Sequence, residues 1–280
     1  MTVDDLTSGA PVRSAFMLPG APLRLAVMGR GPYRLRDRLG HEQPARQGGW
    51  TWHAPTEPGW YPLVILGRRG DSVLVNVFVL VPFDALRGGR LNGYRVGEYP
   101  AFPLRDLDIY RRPAGFVELT RDNQHVAVSP SFRLGQFPAR QASDFPKYLV
   151  LEESLLVLLE RILDGLREAG YAVSTLHIRS GYRTPHYHRA MGNPTRFSRH
   201  LWGAAADILV DESPPDGVMD DLNGDGVIDE RDAAVLARVV EDVSRDPQAP
   251  FLQGGLRVYG PDSTHGPFVH VDVRGFEARW

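Results

Sequence analysis

The sequence predicts an α+β protein in two parts: a small all-β, sandwich-like domain over residues 21–83, and a mixed domain over residues 145–280 built on an antiparallel sheet with a calcium-type loop inserted at 216–245. Three observations lead there. Up to Phe83 the chain is written as short β-branched and aromatic runs between Gly and Pro turns, the pattern of a small sandwich. Over 152–169 apolar residues recur at helical spacing. Beyond that helix, short strand-like runs carry histidine and aspartate. A chain of 280 residues also exceeds the roughly 250 at which a single core stops growing, so two domains are expected.

Residues 1–20 are polar and punctuated by Pro and Gly, and are expected to form a flexible tail. The runs 23–27, 60–66 and 73–81 supply strands of the sandwich. Trp50, Trp52 and Trp60 read as core and edge packing, with a carbohydrate-stacking surface as the alternative. Residues 84–144 form a connector rich in Gly, Pro and Arg. Asn92-Gly93 within it is hairpin chemistry, because both residues accept positive φ. Phe116–Leu119 and His125–Val128 flank a second expected hairpin turn.

In the helix, Leu155, Leu156, Leu159, Ile162, Leu163 and Leu166 form the apolar face, and Gly170 stops it. Residues 175–180 read as a strand delivering the turn Ser180-Gly181-Tyr182-Arg183-Thr184-Pro185. Gly181 permits a bend there, and Pro185 restricts Thr184, so Arg183 is held rigidly. Residues 204–210, 254–259 and 268–273 read as further strands. Alternation in the last places Phe268, His270 and Asp272 on one face.

His200 and Asp207 lie seven residues apart, too far for adjacent turns of one helix, so His200 belongs on a loop or helix end and Asp207 on the following strand. With His270 they offer two imidazoles and one carboxylate, the donor set of an open catalytic zinc site. The absence of cysteine excludes thiolate ligands and disulfides. Asp272 is expected either to fix an imidazole tautomer or to form a plain surface salt bridge, and Ser198 to lie beside the ligands.

A second metal motif follows. Asp221-x-Asn223-x-Asp225-Gly226-Val227-Ile228-Asp229-x-x-Asp232 fits the twelve-position EF-hand loop, with the Val227 carbonyl at position seven and Ile228 packing inward. Aspartate stands at position twelve where sensor loops carry glutamate. A helix is expected to leave the loop over 230–243. The expected ligand is a structural Ca2+ clamping the insertion.

Together the turn Ser180 to Pro185, the run Ser198-x-His200-x-x-Gly203-x-Ala205-x-Asp207, and His265 with His270 resemble the zinc D-Ala-D-Ala carboxypeptidases and murein endopeptidases of the LAS metallopeptidase superfamily. The resemblance covers about residues 145–280, and four separate pieces occur in order. It implies that His200, Asp207 and His270 bind Zn2+, that Arg183 binds and polarises substrate, and that His265 is the second active-site histidine. Some members carry a glutamate base three residues before the last ligand; here that position is Pro267. His265 is therefore the expected proton-transfer group. The calcium loop is similar to those of dockerin-like modules.

The implied activity is hydrolysis of peptidoglycan stem peptides, as a carboxypeptidase or a cross-link endopeptidase. The implied location is periplasmic or extracellular, with a signal peptide absent from this chain, since residues 1–20 lack its basic-then-apolar pattern. A non-catalytic wall-binding or calcium-scaffolded module with a vestigial zinc site is the alternative, and a cytoplasmic dipeptidase a third. Net charge of -2 without a basic stripe argues against a nucleic-acid partner, and no apolar run reaches the ~20 residues of a membrane span. His186 and His188 lie near the cleft but outside the expected ligand set.

Overall fold

The computed structural model describes residues 2–3, 6–7, 10–28, 31–67 and 70–280. The chain is mixed α+β, mostly sheet, and divides into two units: 1–94, 113–135 and 144–148 form the first, and 95–112, 136–143 and 149–280 the second. Residues 84–144 are thus shared between the units rather than a separate connector. They hold too few periodic apolar residues to build a core of their own.

In the first unit the strands are β1 (Thr2–Val3), β2 (Leu6–Thr7), β3 (Val12–Met17), β4 (Pro22–Ala26), β5 (Arg34–Arg36), β6 (Glu42–Pro44), β7 (Gly49–His53), β8 (Gly59–Leu66) and β9 (Ser72–Val79). They form two sheets, β2-β1-β4-β7 and β3-β9-β8-β5-β6. Leu23 and Leu25 of β4 share one buried cluster with Leu63, Ile65, Val75 and Val77 of β8 and β9, as the alternation of a sandwich requires. Trp50 and Trp52 are partly buried against this cluster, which is the packing role. Asn76, which interrupts the apolar run of β9, is buried but satisfied: it accepts from Trp60 Nε1 at 2.8 Å and donates to the Ala127 carbonyl at 2.7 Å.

The expected tail needs correction. Val12–Met17 pairs in parallel with β9 over six residues, and Arg13, Ser14 and Ala15 are buried. A strand covered on both faces shows no alternation, so its sequence does not announce it. Met1, Asp4, Asp5, Ser8 and Gly9 of that tail lie outside the described residues, as do residues 29–30 and 68–69 of the sandwich.

After β10 (Val81–Pro82), the strands β11 (Arg90–Leu91) and β12 (Tyr94–Arg95) close the Asn92-Gly93 hairpin, with φ of 43° and 84° at the two turn residues. The second expected hairpin does not form. β13 (Gly115–Leu119) pairs with β10, while Ala127 bridges Arg133. A short strand, β14 (Lys147–Leu149), precedes the first helix.

In the second unit α1 (Glu153–Glu168) buries Leu155, Leu156, Leu158, Leu159, Ile162, Leu163 and Leu166. Each such side chain contributes about 1.5–3 kcal/mol on leaving water. The helix ends in a Schellman motif: Tyr171 N–H donates to the Leu166 carbonyl and Gly170 N–H to Arg167. The strands β15 (His177–Ser180), β16 (Ala205–Leu209), β17 (Gly255–Tyr259), β18 (Phe268–Asp272) and β19 (Ala278–Arg279) form one sheet in the order β15-β16-β18-β17-β19. All its pairs are antiparallel except β17 with β19. α2 (Pro185–Ala190) follows the Arg183 turn, capped by Thr184, whose hydroxyl accepts from Tyr187 N–H, with Pro185 as its first residue. α3 (Glu230–Ser244) buries Ala233, Leu236, Ala237 and Val240. Among the described residues no helix is long and apolar enough to cross a membrane.

Candidate metal centre

Sheet register brings the site together. Ser180 pairs with Asp207, Asp207 with His270, and His270 with Arg257, so four side chains form one row across four strands. Directly opposed residues have Cβ atoms about 4.5–5.5 Å apart, close enough for polar side chains to meet. His200 reaches this row from a 3₁₀ turn, Arg199–Trp202, immediately before β16.

The three expected ligands converge. His200 Nε2 lies 3.2 Å from Asp207 Oδ1 and 3.2 Å from His270 Nδ1, and His270 Nδ1 lies 2.9 Å from the same carboxylate oxygen. Zinc bonds of ~2.0–2.1 Å arranged as a tetrahedron place donors about 3.3 Å apart, so the donor triangle matches that ion. All three residues are buried, at 2%, 5% and 7% exposure. Among the described residues this is the one group of three or more His, Cys, Asp or Glu whose ligand atoms lie within 4.8 Å of one another. It can hold a metal ion.

The far side of each ligand is held as well. His200 Nδ1 meets the Gly181 carbonyl at 2.6 Å. A carbonyl only accepts, so Nδ1 carries the proton and Nε2 keeps its lone pair for a metal. His270 Nε2 meets Asp272 Oδ2 at 3.3 Å, which by the same reasoning leaves Nδ1 as the ligand atom. Asp272 in turn accepts from Gly255 N–H and from both Arg274 Nε and Nη2. Asp207 uses its second oxygen on Arg183. These partners fix ring orientation and basicity, and their loss typically weakens metal binding 10–100-fold. Asp272→Asn should therefore lower metal affinity by roughly that factor, measured by competition with a chromophoric chelator. Wild-type affinity in that variant would remove Asp272 from the site's function.

Burial alone would lower the pKa of His270, but hydrogen bonds to Asp207 and Asp272 outweigh it and raise the value to about 9. His200 moves the other way, lowered chiefly by burial. Asp207 is held well below the usual carboxylate range: burial opposes this, and the two imidazoles overcome it. In the metal-free protein His270 thus carries a proton at neutral pH. Its raised value stabilises the metal-free fold fully below about pH 6.5, and that contribution is lost as pH rises through about 9. Metal must displace this proton, so metal uptake should release about one proton near neutral pH, falling to about half a proton at pH 9, and affinity should climb with pH up to there. Calorimetry in buffers of different ionisation enthalpy reads the proton count; zero release would contradict the assignment of His270 Nδ1.

Two features hold the His200 turn. Arg199, almost fully buried, donates to the Val273 carbonyl at 3.2 Å, to Glu152 Oε1 at 3.0 Å and to the Ile109 carbonyl. Tyr99 Oη donates to the Leu201 carbonyl at 2.7 Å. Arg199 is a site residue that sequence reasoning missed, although an arginine beside a ligand and just ahead of the largely apolar run 201–210 is a signal of a buried, fully bonded cation. Gly181 is required for a different reason than a bend: its φ is ordinary, but a Cβ there would stand 2.9 Å from Phe137 Cα.

Arg183, Ser198 and His265 line the same cleft, of about 850 Å3, as the three ligands. Arg183 donates from Nε to Ser180 Oγ at 2.9 Å and from Nη2 to Asp207, so part of its fork already serves a ligand. His265 is engaged at both nitrogens, with the Gly266 carbonyl at 2.8 Å and Asp262 Oδ2 at 3.1 Å, and packs edge-on to Phe268. Ser198 opens the 3₁₀ turn through its carbonyl, which accepts from Leu201 N–H; its hydroxyl makes no capping bond. The residues that orient the imidazoles are Gly181 and Asp272. His188 also reaches the cleft wall, buried, and burial pushes its pKa down to about 4.

At the expected calcium loop the acidic side chains turn onto the loop's own backbone. Asp221 accepts from Gly224 and Gly226 N–H, Asn223 from Asp225, Asp225 from Val227, and the buried Asp232 from Leu222, Asn223 and Asp229. Asp229 caps α3 in a capping box with Asp232, and Arg231 bridges Asp225 and Asp229, each at 2.8 Å. Ile228, expected to pack inward, is 43% exposed, and Val227 51%.

Comparison with family models, with curated proteins and with solved structures returned no match.

Proposed function

We propose that the chain is a zinc-dependent peptidase acting on peptidoglycan stem peptides. The observation that carries this reading is the triangle of His200 Nε2, Asp207 Oδ1 and His270 Nδ1, with edges of 2.9–3.2 Å, on an open cleft. Three protein ligands leave one tetrahedral position free, as in catalytic rather than structural zinc sites. Zinc bound there would supply Lewis acidity, activating a water and polarising a carbonyl.

The chain's own groups do the rest. Gly181 and Asp272 hold the two imidazoles in their ligating tautomers. Arg183 keeps N–H donors beyond those given to Asp207 and Ser180, and these suit a substrate carbonyl or carboxylate and the negative charge that develops on it. His265 stands on the cleft wall beside Phe268, and its partner Asp262 is more than half exposed, so water or substrate can replace it at Nε2. That nitrogen is the proton carrier in this reading, in the absence of a carboxylate at Pro267.

The test is mass spectrometry of cross-linked muropeptide dimers and pentapeptide monomers incubated with the zinc-loaded protein. Loss of one alanine identifies a carboxypeptidase, and dimer cleavage an endopeptidase. A non-catalytic wall-binding module is the second reading, favoured by the engagement of Arg183 with Asp207 and of both His265 nitrogens. Unchanged peptides under zinc saturation would select it.

The reading includes a structural calcium ion on the 221–232 loop. It is supported by the amide pattern that preforms the loop and by the acidic pair already bridged by the Arg231 cation. Calcium should raise the thermal midpoint of unfolding by several degrees, and Asp232→Ala should abolish the rise. No shift in the wild type would leave the loop as a capping device only.

A further inference from the structure

We propose that the cleft carries a second anion-binding subsite, formed by Arg179 and Arg257 on either side of the Phe268–Tyr259 ring stack, and that it selects peptides bearing a side-chain carboxylate about two residues from the bond cut. The inference rests on the peptidase reading and deepens it. Its origin is a β-bulge. Ile178 pairs with Ile208 and Ser180 with Asp207, so Arg179 is an extra residue with no partner on β16. The bulge leaves that side chain without a cross-strand neighbour, and because Ile178 faces away with Ile208, alternation puts Arg179 on the face of Asp207, where it lines the cleft.

On that floor the guanidinium carbon of Arg179 lies 5.0 Å from the centre of the Phe268 ring. Phe268 stacks on Tyr259 with centroids 4.5 Å apart and planes within 10°. The guanidinium carbon of Arg257 lies 4.6 Å from the Tyr259 ring. Two cations therefore bracket a flat aromatic surface. Arg140 joins the Arg179 end, donating to the Ile178 carbonyl at 3.2 Å. None of the three forms an ion pair among the described residues. Burial presses the pKa of Arg179 down, and repulsion from Arg140 and Arg183 adds to it, against attraction from Asp207 and Asp262. Like charges gathered with no direct ion pair among them cost free energy, which a bound carboxylate would recover. Arg183 lies at the other end, paired with Asp207 beside the three ligands.

The spacing sets the class of ligand. Phe268 precedes His270 by two residues on β18, about 7 Å along the strand, which equals two residues of extended peptide. A peptide lying across the ring stack with its reacting carbonyl at the three ligands would thus bring a side chain two residues away to the arginines. A planar carboxylate accepts parallel bonds from a guanidinium, which amide and ammonium groups do not.

The test is calorimetric titration of the full chain, kept metal-free with chelator, with acetyl-Glu-Lys-D-Ala-D-Ala and its Gln counterpart. The wild type should bind the Glu peptide about tenfold tighter or more. The double variant Arg179→Gln, Arg257→Gln should bind both peptides with the affinity that the wild type shows for the Gln peptide, which also reports that the cleft has kept its shape. Equal affinities in the wild type, a Glu preference that survives the double substitution, or binding of neither peptide would overturn the subsite. Hydrolysis under zinc without a Glu preference removes the subsite and leaves the peptidase reading. A Glu preference without hydrolysis does the reverse.

Discussion

His200→Ala is expected to reduce hydrolysis about a thousandfold or more and to abolish tight zinc binding, while far-ultraviolet circular dichroism stays near wild type. The variant loses one of three donors, and what remains cannot replace it. Protonated His270 is left 2.9 Å from Asp207 as a closed ion pair, which competes with metal for both remaining ligand atoms. Truncation also orphans the Gly181 carbonyl and leaves a cavity, at a cost of about 2–4 kcal/mol. The scaffold tolerates this because β16 and β18 stay paired without the side chain. Hydrolysis retained in a well-folded variant would sink the ligand assignment.

The site was more legible in the sequence than its surroundings, for a physical reason. His200, Asp207 and His270 act through fixed chemical type and spacing, and antiparallel register turns a seven-residue and a sixty-three-residue separation into a 3 Å triangle. Strand alternation likewise placed Asp272 beside His270. Helices α1 and α3 were readable because one face of each is buried and periodicity survives. β3 was not, since Val12–Met17 is covered on both faces and its pairing partner lies some sixty residues away. The bulge at Arg179 was equally hidden. A one-residue slip of register leaves no mark on local composition, yet it sets Ser180 beside Asp207 and leaves Arg179 unpaired. The loop at 221–232 was legible as a turn; its carboxylates lie on backbone amides and on Arg231, and spacing alone does not report that competition.

Gly203→Ala should destabilise the fold by at least about 3 kcal/mol and should remove metal binding with it. Gly203 closes the 3₁₀ turn that presents His200, in a left-handed conformation with φ of 64°. For an L-residue that conformation alone costs about 1 kcal/mol. Steric overlap costs more: an added Cβ would lie 2.0 Å from the Val150 carbonyl oxygen and 2.3 Å from its carbon. Those are backbone atoms, and the same stretch is fixed in place because Glu152 N–H donates to the Gly203 carbonyl at 3.0 Å. Relief requires the 150–152 segment and the turn to separate. That motion would displace His200, three residues before Gly203, and Arg199, which shares its guanidinium between Glu152 and Val273. The glycine between His200 and Asp207 in the Ser198 to Asp207 run is thus a packing requirement with a consequence for metal binding. Thermal unfolding of metal-free protein isolates the packing part, since no ligand contribution remains once zinc is chelated. A midpoint within a degree or two of wild type would show that the turn relaxes at little cost and would return His200's position to the sheet alone.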